Sequence, residues 1–372
     1  MHIDIITNHT PLNYGANLQA YALQTYLEKQ GCKAEVIDYA PDYYTEHLSL
    51  LYVSAPRFRK NYVFRWAYLL FKFPSRWKRI RNFSSFQKHY LHLTSRRYKS
   101  FEELLGYPPE ADAYIVGSDQ VWNTRGTRGY NPAFYLEFVK DCTKRASYAA
   151  SMSIDEPVTE RVKRDVFPMI NKLQYVSVRE SMTIDVIQPF IHKKVHHVLD
   201  PVFLLSADDW KRFVGITDGT EENYILIYPM GEGKNVVESA KALAKHTGLP
   251  IYCISASIKK IPGVTKRFDC SVVKFVELFA KARYVVTNSF HGTSFSIIFR
   301  KTFWTCEVGN NNHRLLSLLQ GFDLENRYIS SEDKIDVTAQ NVDYALSEQH
   351  INESISRSKE YLAKIIDDMK QE

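Results

Sequence analysis

The sequence predicts an α/β protein made of two doubly wound domains that face each other across a cleft. Three observations predict this fold class. Short apolar, β-branched runs alternate with longer helical patterns, a polar stretch at 206–223 interrupts the alternation, and a second series of the same kind follows it. The length of 372 residues suits two domains of ordinary size. A composition of 45% hydrophobic and 24% charged residues excludes disordered and low-complexity proteins.

The first domain is expected over residues 1–205. Its predicted elements are a strand at 2–7, a helix at about 16–30, and strands at 34–39, 112–118, 145–151, 175–179 and 195–199. Gly31 stands where the first helix should end. Several of these strands are continuous apolar runs, which is typical of parallel strands buried on both faces. Residues from about 45 to 105 interrupt the series and are expected to form a basic, aromatic and helical insertion.

The second domain is expected over residues 206–340. Its predicted elements are a strand at 224–230, a helix at 234–247, a strand at 250–255, a helix at 272–282, and strands at 284–287 and 302–306. The tail at 341–372 is charged and helix-prone. We expect it to form a C-terminal helix that packs back on the first domain.

The net charge of +6 is unevenly distributed along the chain. Residues 57–99 contain 13 Lys and Arg and no Asp or Glu, so the remainder carries 6 − 13 = −7. Aromatic residues are interleaved with these cations. The pattern leaves three interpretations open: a helix face buried in a core, contact with an anionic membrane surface, or nucleic-acid binding. Nucleic acid is the least favoured partner, because no recognised nucleic-acid motif accompanies the segment.

The five cysteines are thinly spread and none forms a C-x-x-C pair, so neither a disulfide framework nor a zinc knuckle is expected. The N-terminal MHIDIITNHT lacks the basic region and apolar core of a signal peptide. We therefore expect a cytoplasmic location, with peripheral contact at the inner face of the cell membrane through residues 57–99 as an open interpretation.

Ligands of parallel sheets bind where strands end and helices begin, and this rule selects segments of the first domain. NYGANLQ follows the first strand and places Asn13 and Gly15 at a helix start. GSDQVWN follows the strand at 112–118 and supplies Asp119, Gln120 and Asn123. An ordinary turn would explain Gly-Ser-Asp but not the added amide side chains, so we expect this segment to line the cleft.

The same rule selects two further segments. SVRE ends another strand and places Arg179 where it could bind an anion. TNSFHGTS follows a strand of the second domain and brings His291, a residue able to act as acid or base, to a helix start. Gly231-Glu232-Gly233-Lys234 lacks the phosphate-loop pattern, but Lys234 remains a possible anion contact. The histidines form no metal-binding pattern with nearby carboxylates, and no metal is expected.

Five stretches in this order resemble the polysaccharide pyruvyl transferase family: NYGANLQAYAL, GSDQVWN, SVRE with LDPVFLL, TNSFHGTSFSIIF, and HRLLSLLQGFDLENR. The resemblance spans both domains and implies a Rossmann-like, GT-B-like fold. It implies transfer of a pyruvyl group from phosphoenolpyruvate to a sugar hydroxyl pair of a cell-surface polysaccharide or a lipid-linked oligosaccharide precursor, as a ketal. Phosphoenolpyruvate is then a donor substrate, and no cofactor is implied.

The resemblance also implies roles for residues on both sides of the cleft. In the second domain His291 is the expected general acid or phosphate ligand, with Asn288, Ser289, Gly292 and Lys234 as further donor contacts. In the first domain, Arg179 matches a family arginine and is expected to bind the donor's anionic groups. Apart from the resemblance, we infer from their chemistry that Asp119 accepts a proton from the acceptor and that Asn13, Gly15, Gln120 and Asn123 orient it.

One position departs from the family pattern. Where many relatives have Arg-Leu-His, this chain has Ser289-Phe290-His291, so one cation is missing. Lys234, Arg300 or Arg314 would have to replace it. Two other functions compete with the leading one: a GT-B-type glycosyltransferase that uses a nucleotide sugar, which the same architecture would permit, and a non-catalytic membrane-surface binding protein.

Overall fold

The computed structural model describes residues 1–53, 62–124, 130–140, 142–152, 158–217, 221–255, 260–267, 270–309, 312–339 and 341–371. The first part of the chain contains β1 (His2–Ile6), α1 (Tyr14–Lys29), β2 (Lys33–Tyr39), α2 (Asp42–Thr45), α3 (Tyr62–Tyr90), β3 (Leu93–Tyr98), α4 (Phe101–Gly106), β4 (Ala113–Val116), β5 (Lys144–Ser147), α5 (Glu160–Asp165), α6 (Phe167–Asn171), β6 (Val176–Val178), α7 (Ser181–Ile187) and β7 (Val195–His197).

The second part contains α8 (Ala207–Val214), β8 (Glu222–Tyr228), α9 (Lys234–Thr247), β9 (Ile251–Ile254), β10 (Val264–Arg267), α10 (Val272–Lys281), β11 (Ala282–Thr287), α11 (Phe290–Ile298), β12 (Thr302–Cys306), α12 (His313–Gln320), β13 (Tyr328–Ile329) and α13 (Tyr344–Gln371). The predicted boundary at residue 205 falls between the last strand of the first series and the first strand of the second.

The first domain is built on a parallel sheet in the order β3-β2-β1-β4-β5. Strands β6 and β7 pair with each other, and parallel bridges join β6 to the segment of β5. The central strand β1 is apolar on both faces: Ile3 and Ile5 are fully buried in one core cluster and Ile6 in another. The sheet therefore has a hydrophobic layer on each side, as a doubly wound domain requires.

The second domain repeats the design. Its parallel sheet runs β10-β9-β8-β11-β12-β13, so the chain winds outwards in both directions from β8 and β11. Ile225 and Ile227 of β8 and Val286 of β11 are buried in one cluster, whereas Leu226 and Val285 are buried in the cluster on the opposite face. Two doubly wound α/β domains are thus confirmed.

Several helices begin at a polar residue that caps them. Asn13 Oδ1 accepts a hydrogen bond from the Ala16 amide at 3.3 Å and begins α1. Ser271 begins α10 in the same way, and Ser206 begins α8 with a reciprocal bond to Asp209. These caps satisfy backbone amides that have no partner inside the helix, so the helices that lead into the cleft have defined first residues.

The C-terminal helix α13 returns to the first domain. Leu362, Ile365 and Ile366 are buried in the cluster that contains Ile3 and Ile5 of β1. The Lys144 ammonium donates to the carbonyl of Met369 at 2.9 Å. The chain therefore ends against the sheet on which it begins.

The helical insertion expected over 45–105 needs correction; its residues 54–61 lie outside the described residues. Residues 62–90 form the long helix α3, but Leu93–Tyr98 is the edge strand β3, paired in parallel with β2. Its apolar pattern is weak because Ser95, Arg96 and Arg97 in its middle are exposed. Charged residues are common on edge strands, where they discourage pairing with another chain. The two arginines interrupt the apolar pattern, so the sequence did not predict this strand.

The two domains pack closely through aromatic side chains. Tyr14 of α1 stacks on Phe275 of α10 with ring centroids 4.5 Å apart, and its hydroxyl donates to the carbonyl of Cys270 at 2.8 Å. Phe83 of α3 lies 5.0 Å from the same tyrosine ring. One core cluster accordingly contains residues of both domains. Among the helices described, no helix has the combined length and apolar character needed to cross a bilayer.

Candidate active site

Side chains that follow four different strands meet where the two domains face each other. Asp119 comes after β4, Arg179 after β6 and Asp200 after β7, all at the carboxyl edge of the first sheet. His291 is the second residue of α11, which follows β11 of the second sheet. Three of these four were predicted from the sequence, and the structure brings them to one place.

Arg179 is the centre of this cluster. Its side chain is buried, Nε donates to Oε1 of Glu180 at 3.0 Å, and Nη1 donates to Oδ2 of Asp200 at 2.9 Å. Asp119 Oδ1 lies 3.9 Å from Nη1. Burial alone would lower the pKa of Arg179, but these three carboxylates raise it above its ordinary value. The guanidinium is therefore a fixed and already neutralised charge.

Asp200 joins the two domains electrostatically. It is fully buried, and its Oδ2 accepts a hydrogen bond from Ser118 Oγ at 3.3 Å in addition to the one from Arg179. His291 Nε2 of the second domain lies 3.5 Å from the same oxygen. Burial would raise the pKa of Asp200, but the charges of His291 and Arg179 outweigh it and lower that pKa to about 2. Asp200 is therefore ionised and placed to stabilise an imidazolium.

Gly15 provides the space that His291 occupies. A Cβ built on Gly15 would lie 2.0 Å from Nδ1 of His291, so no larger residue fits there without displacing the ring. Gly292 is equally confined, since a Cβ there would lie 2.5 Å from Thr287 Oγ1. The NYGANLQ and SFHG segments, 276 positions apart from Gly15 to His291, are thus in contact across the domain interface.

The Arg179 guanidinium also contacts the second domain through an aromatic ring. Its carbon lies 4.4 Å from the ring centroid of Phe290, the residue before His291. A cation over a ring face at this distance is attracted by the ring's quadrupole. The same side chain therefore orders the first-domain carboxylates and the start of α11.

A pocket of about 740 Å³ opens beside this cluster in the first domain. Asp119, Gln120 and Asn123, which were predicted from GSDQVWN, all contribute to its wall. The other lining residues are rich in aromatics and include Tyr39, Tyr43, Tyr44, Phe101, Tyr130 and Phe134. Concave sites with apolar walls and a few polar groups are typical of small-molecule binding. Asp119 borders both this pocket and the Arg179 cluster.

Three of the predicted contact residues also have structural tasks. The Asn13 side chain caps α1. Asn288 Oδ1 accepts from the Met230 amide at 2.6 Å, and its amide donates to the Met230 carbonyl at 3.1 Å, which fixes that loop. Ser289 caps α11 by accepting from the Gly292 amide. These side chains therefore shape the cleft, and their contact with a donor or an acceptor stays a prediction.

The structure separates the three cations that could replace the missing arginine. Lys234 is exposed and pairs with Glu232 at 3.4 Å, and Arg300 forms two 2.9 Å bonds with Glu348. Arg314 of α12, in contrast, lines a cavity of about 30 Å³ between the domains together with Arg179 and Asp200. Arg314 is therefore the cation placed at the site, and Lys234 is not among the residues that line this cavity.

Two residues of the cluster, Asp200 and Glu180, were not singled out from the sequence. Asp200 lies in LDPVFLL, directly after the predicted strand at 195–199, so the strand-end rule could have found it. Glu180 follows Arg179, and its Oε1 also accepts a hydrogen bond from Ser151 Oγ at 2.8 Å. Their importance follows from the three-dimensional position of Arg179, which the sequence alone does not give.

One group of side chains in the described part of the chain is arranged closely enough to hold a metal ion. It consists of His2, Asp4 and Glu35 on β1 and β2, away from the carboxyl edge of the sheet where Arg179 lies. Burial, followed by the charge of Glu35, raises the pKa of Asp4 to about 7. This group is separate from the candidate active site.

Comparison with known proteins agrees with this architecture. The model of the family "Polysaccharide pyruvyl transferase" matches residues 13–310. The UDP-GlcNAc 2-epimerase of Methanocaldococcus jannaschii, solved with UDP-GlcNAc and UDP, is 13% identical with a TM-score of 0.53, covering 98% of this chain and 99% of that one. A UDP-N-acetylglucosamine 2-epimerase from Rickettsia bellii is 12% identical with a TM-score of 0.48, covering 98% and 95%. No curated protein sequence matches this chain. The architecture is that of the two-domain GT-B fold.

Proposed function

Because the chain belongs to the polysaccharide pyruvyl transferase family, we propose that it transfers the pyruvyl group of phosphoenolpyruvate to a sugar of a polysaccharide or of its lipid-linked precursor. In this reaction two sugar hydroxyl oxygens form bonds to the central carbon of the donor, and the carbon–oxygen bond to phosphate breaks. One hydroxyl proton ends on the enol carbon, which becomes a methyl group, and the other leaves with the phosphate. The product is a pyruvate ketal.

The convergence of the family-like segments carries this proposal. Asp119, Arg179, Asp200 and His291 come from four segments and lie around one point between the domains. Arg314, from HRLLSLLQGFDLENR, lines the adjoining cavity. Segments that are distant in the sequence and meet at a single cleft support a shared chemical task.

His291 suits the task of general acid in this reaction. Its ring stands at the start of α11, where the helix dipole favours negative charge on a ligand. Asp200, 3.5 Å from Nε2, stabilises the protonated ring that would deliver a proton to the enol carbon. A buried carboxylate that orients and stabilises an imidazolium is a recurrent arrangement in enzymes that use histidine.

Arg179 suits both a positioning role and donor binding, because its Nη2 is buried without a hydrogen-bond partner among the described residues and the side chain lines the adjoining cavity. Its side chain is buried, and its charge is balanced by Glu180 and Asp200. A donor with a phosphate and a carboxylate needs additional positive groups, and Arg314 with the N-terminus of α11 can supply them. The adjoining cavity of about 30 Å³ has room for only a few water molecules. Donor binding would therefore require the domains to separate, which is a motion common in two-domain enzymes.

The acceptor sugar fits the first-domain pocket. Its volume of about 740 Å³ lies within the range of small-molecule sites, and its aromatic walls offer flat apolar faces to a sugar ring. Gln120 and Asn123 supply hydrogen-bonding groups at the wall. Asp119, which borders the Arg179 cluster, is placed to accept the proton of an attacking hydroxyl.

The proposal is tested by incubating the protein with phosphoenolpyruvate and a panel of free and lipid-linked glycans. We expect release of inorganic phosphate and a product heavier by one ketal-bound pyruvate, detected by mass spectrometry. Thermal stabilisation by phosphoenolpyruvate should accompany it. Stabilisation by a nucleoside diphosphate, with no donor binding in calorimetry and no phosphate release, would instead favour a nucleotide-sugar glycosyltransferase. Loss of turnover in the His291→Gln variant would link the activity to this site.

A further inference from the structure

Helix α3 has two halves with opposite surroundings. In its C-terminal half Phe83 and Phe86 are buried in the core that both domains share. Arg79 Nη2 donates to the carbonyl of Leu12 at 2.6 Å, and Gln87 Nε2 donates to that of His9 at 2.7 Å. This half is therefore fixed to the loop that leads into α1 and the cleft.

The N-terminal half of α3 exposes a continuous apolar stripe to solvent. The large side chains of this stripe follow helical spacing of three and four residues: Tyr62, Trp66, Leu70, Phe73 and Trp77. Residues with this spacing share one face of a helix, which in a globular protein ordinarily faces the core. Here Leu70 is 72% exposed, and Phe73 and Trp77 on the same face are 49% and 47% exposed. The stripe spans about 22 Å along the helix.

The charge on this helix selects the kind of partner. Residues 62–90 contain seven Lys and Arg and no Asp or Glu. Three of them, Arg65, Lys72 and Arg76, lie within 62–77 on a side of the helix roughly 100° around from the stripe. A second copy of this chain would bring the same seven positive charges against these, which disfavours pairing of two such helices. An anionic surface complements them, and Trp and Tyr are the side chains that settle at membrane–water interfaces.

We propose that residues 62–77 form a membrane-contact helix that lies in the interface of an anionic lipid bilayer, with the stripe among the acyl chains and the cations at the headgroups. Helices with one apolar face and a basic polar face bind in the interface plane in this way. The long Lys and Arg side chains can reach the headgroups while their stems cover apolar surface. The membrane contact that the sequence left open for residues 57–99 is thereby assigned to the N-terminal half of α3, since the C-terminal half belongs to the core.

Tryptophan fluorescence gives a direct test, because the five tryptophans fall into two classes. Trp66 and Trp77 lie on the stripe and are exposed, whereas Trp122, Trp210 and Trp304 are buried. We expect vesicles of phosphatidylcholine with about one third phosphatidylglycerol to shift the emission to shorter wavelength and to co-sediment with the protein. The shift should disappear in the Trp66→Phe/Trp77→Phe variant, which retains apolar stripe residues and should still sediment with the vesicles.

A matched pair of double variants locates the contact. Leu70→Ser with Phe73→Ser should lower vesicle partitioning about tenfold or more, because two apolar side chains that would become buried in the bilayer are lost. Leu105→Ser with Leu346→Ser changes two exposed apolar side chains elsewhere and should leave partitioning unchanged. Circular dichroism and thermal unfolding verify that both variants are folded, which is expected because the four side chains are exposed.

Several results would overturn the proposal. Equal binding to neutral and anionic vesicles would show that charge does not select the membrane. Equal losses of vesicle partitioning in the two double variants would show that α3 is not the contact. Absence of vesicle binding, together with dimers in sedimentation velocity that the Leu70/Phe73 variant abolishes, would assign the stripe to a second copy of the chain. Binding to a single-stranded oligonucleotide without vesicle binding would assign it to nucleic acid. Vesicle binding needs no donor or acceptor, so this result is independent of the proposed transferase activity.

Discussion

The imidazole Nε2 of His291 lies 3.5 Å from Oδ2 of Asp200, and the two residues belong to different domains. The same oxygen accepts a hydrogen bond from Arg179, whose guanidinium stacks on Phe290 beside the histidine. The surroundings of His291 therefore depend on how the two domains are packed against each other. A donor that enters by separating the domains would break this contact, so the domains would have to close around the bound donor to bring Asp200 back to His291.

Replacing His291 tests its role as the acid. His291→Gln should lower the rate of ketal formation by about 10²- to 10⁴-fold, the usual contribution of a general acid, because glutamine cannot deliver a proton. The measurement is phosphate release at saturating donor, together with the thermal unfolding temperature. His246→Gln, at an exposed position on α9, is the control and should retain the full rate. A His291→Gln protein that is folded and fully active would exclude the histidine from proton transfer.

Replacing Gly15 tests the contact between α1 and the histidine. Gly15→Ala should reduce turnover strongly, because the added methyl group would overlap the His291 ring at 2.0 Å from Nδ1. Gly106→Ala is a suitable control, since a Cβ there meets nothing within 4 Å. We expect the first variant to lose activity with a modest loss of stability and the second to retain both. Activity assays and urea unfolding curves distinguish these outcomes, and an active Gly15→Ala enzyme would show that the ring can move without consequence.

The sequence predicts those site residues that directly follow a recognisable strand. Asp119, Arg179 and His291 follow apolar runs that could be recognised as buried strands, and the carboxyl-edge rule then places them near one another. The task of Gly15 could not be predicted, because it depends on how one domain sits against the other. Asn13 and Ser289 show the opposite difficulty: a polar residue at a helix start is equally suited to bind a ligand or to cap the helix, and here it caps.

In the fold as well, features set by neighbouring residues could be predicted, and features set by contacts between distant residues could not. Helix α9 begins and ends where its apolar spacing and Gly248 indicate, since both signals are local. Strand β3 was hidden inside the basic segment because the charges of an edge strand suppress its apolar pattern. The N-terminal half of α3 is the more apolar of the two, so composition alone would bury the wrong half. The division between a core half and an exposed half is set by which part reaches Tyr14 and the rest of the shared core.

Arg314 provides a test of donor recognition. Arg314→Gln should raise the KM for phosphoenolpyruvate about tenfold or more, because charge-assisted hydrogen bonds to an anion contribute about 1.5–3 kcal/mol. The turnover rate should change less than the KM if the residue binds ground state and transition state alike. Arg300→Gln is the matched control: it removes an arginine that is paired with Glu348, so it should affect stability while leaving the KM unchanged. Equal KM values for both variants would place the donor phosphate elsewhere.

Asp200 connects the pH dependence of stability with the site. Its pKa is lowered from 3.8 to about 2 in the folded protein, so its ionised form favours folding. A depressed carboxyl pKa gives stability that is complete above the unfolded pKa and is lost as the pH falls through the folded one, here between about pH 4 and pH 2. Asp200→Asn should lower the free energy of unfolding by about 3 kcal/mol at neutral pH, because Arg179 then loses its buried partner.

The difference between the natural protein and Asp200→Asn should therefore narrow as the pH falls below about 4, where protonation removes the same charge from the natural carboxyl group. Urea unfolding at neutral pH and at about pH 3 measures it. Asp367→Asn, at an exposed position of α13, is the control and should follow the natural protein at both pH values. If the two free energies of unfolding differ equally at both pH values, the loss of stability comes from how the introduced amide packs and hydrogen-bonds, and not from the missing charge. A narrowing difference, with ketal formation lost in the same variant, would show that one buried charge both holds the domains together and supports the histidine.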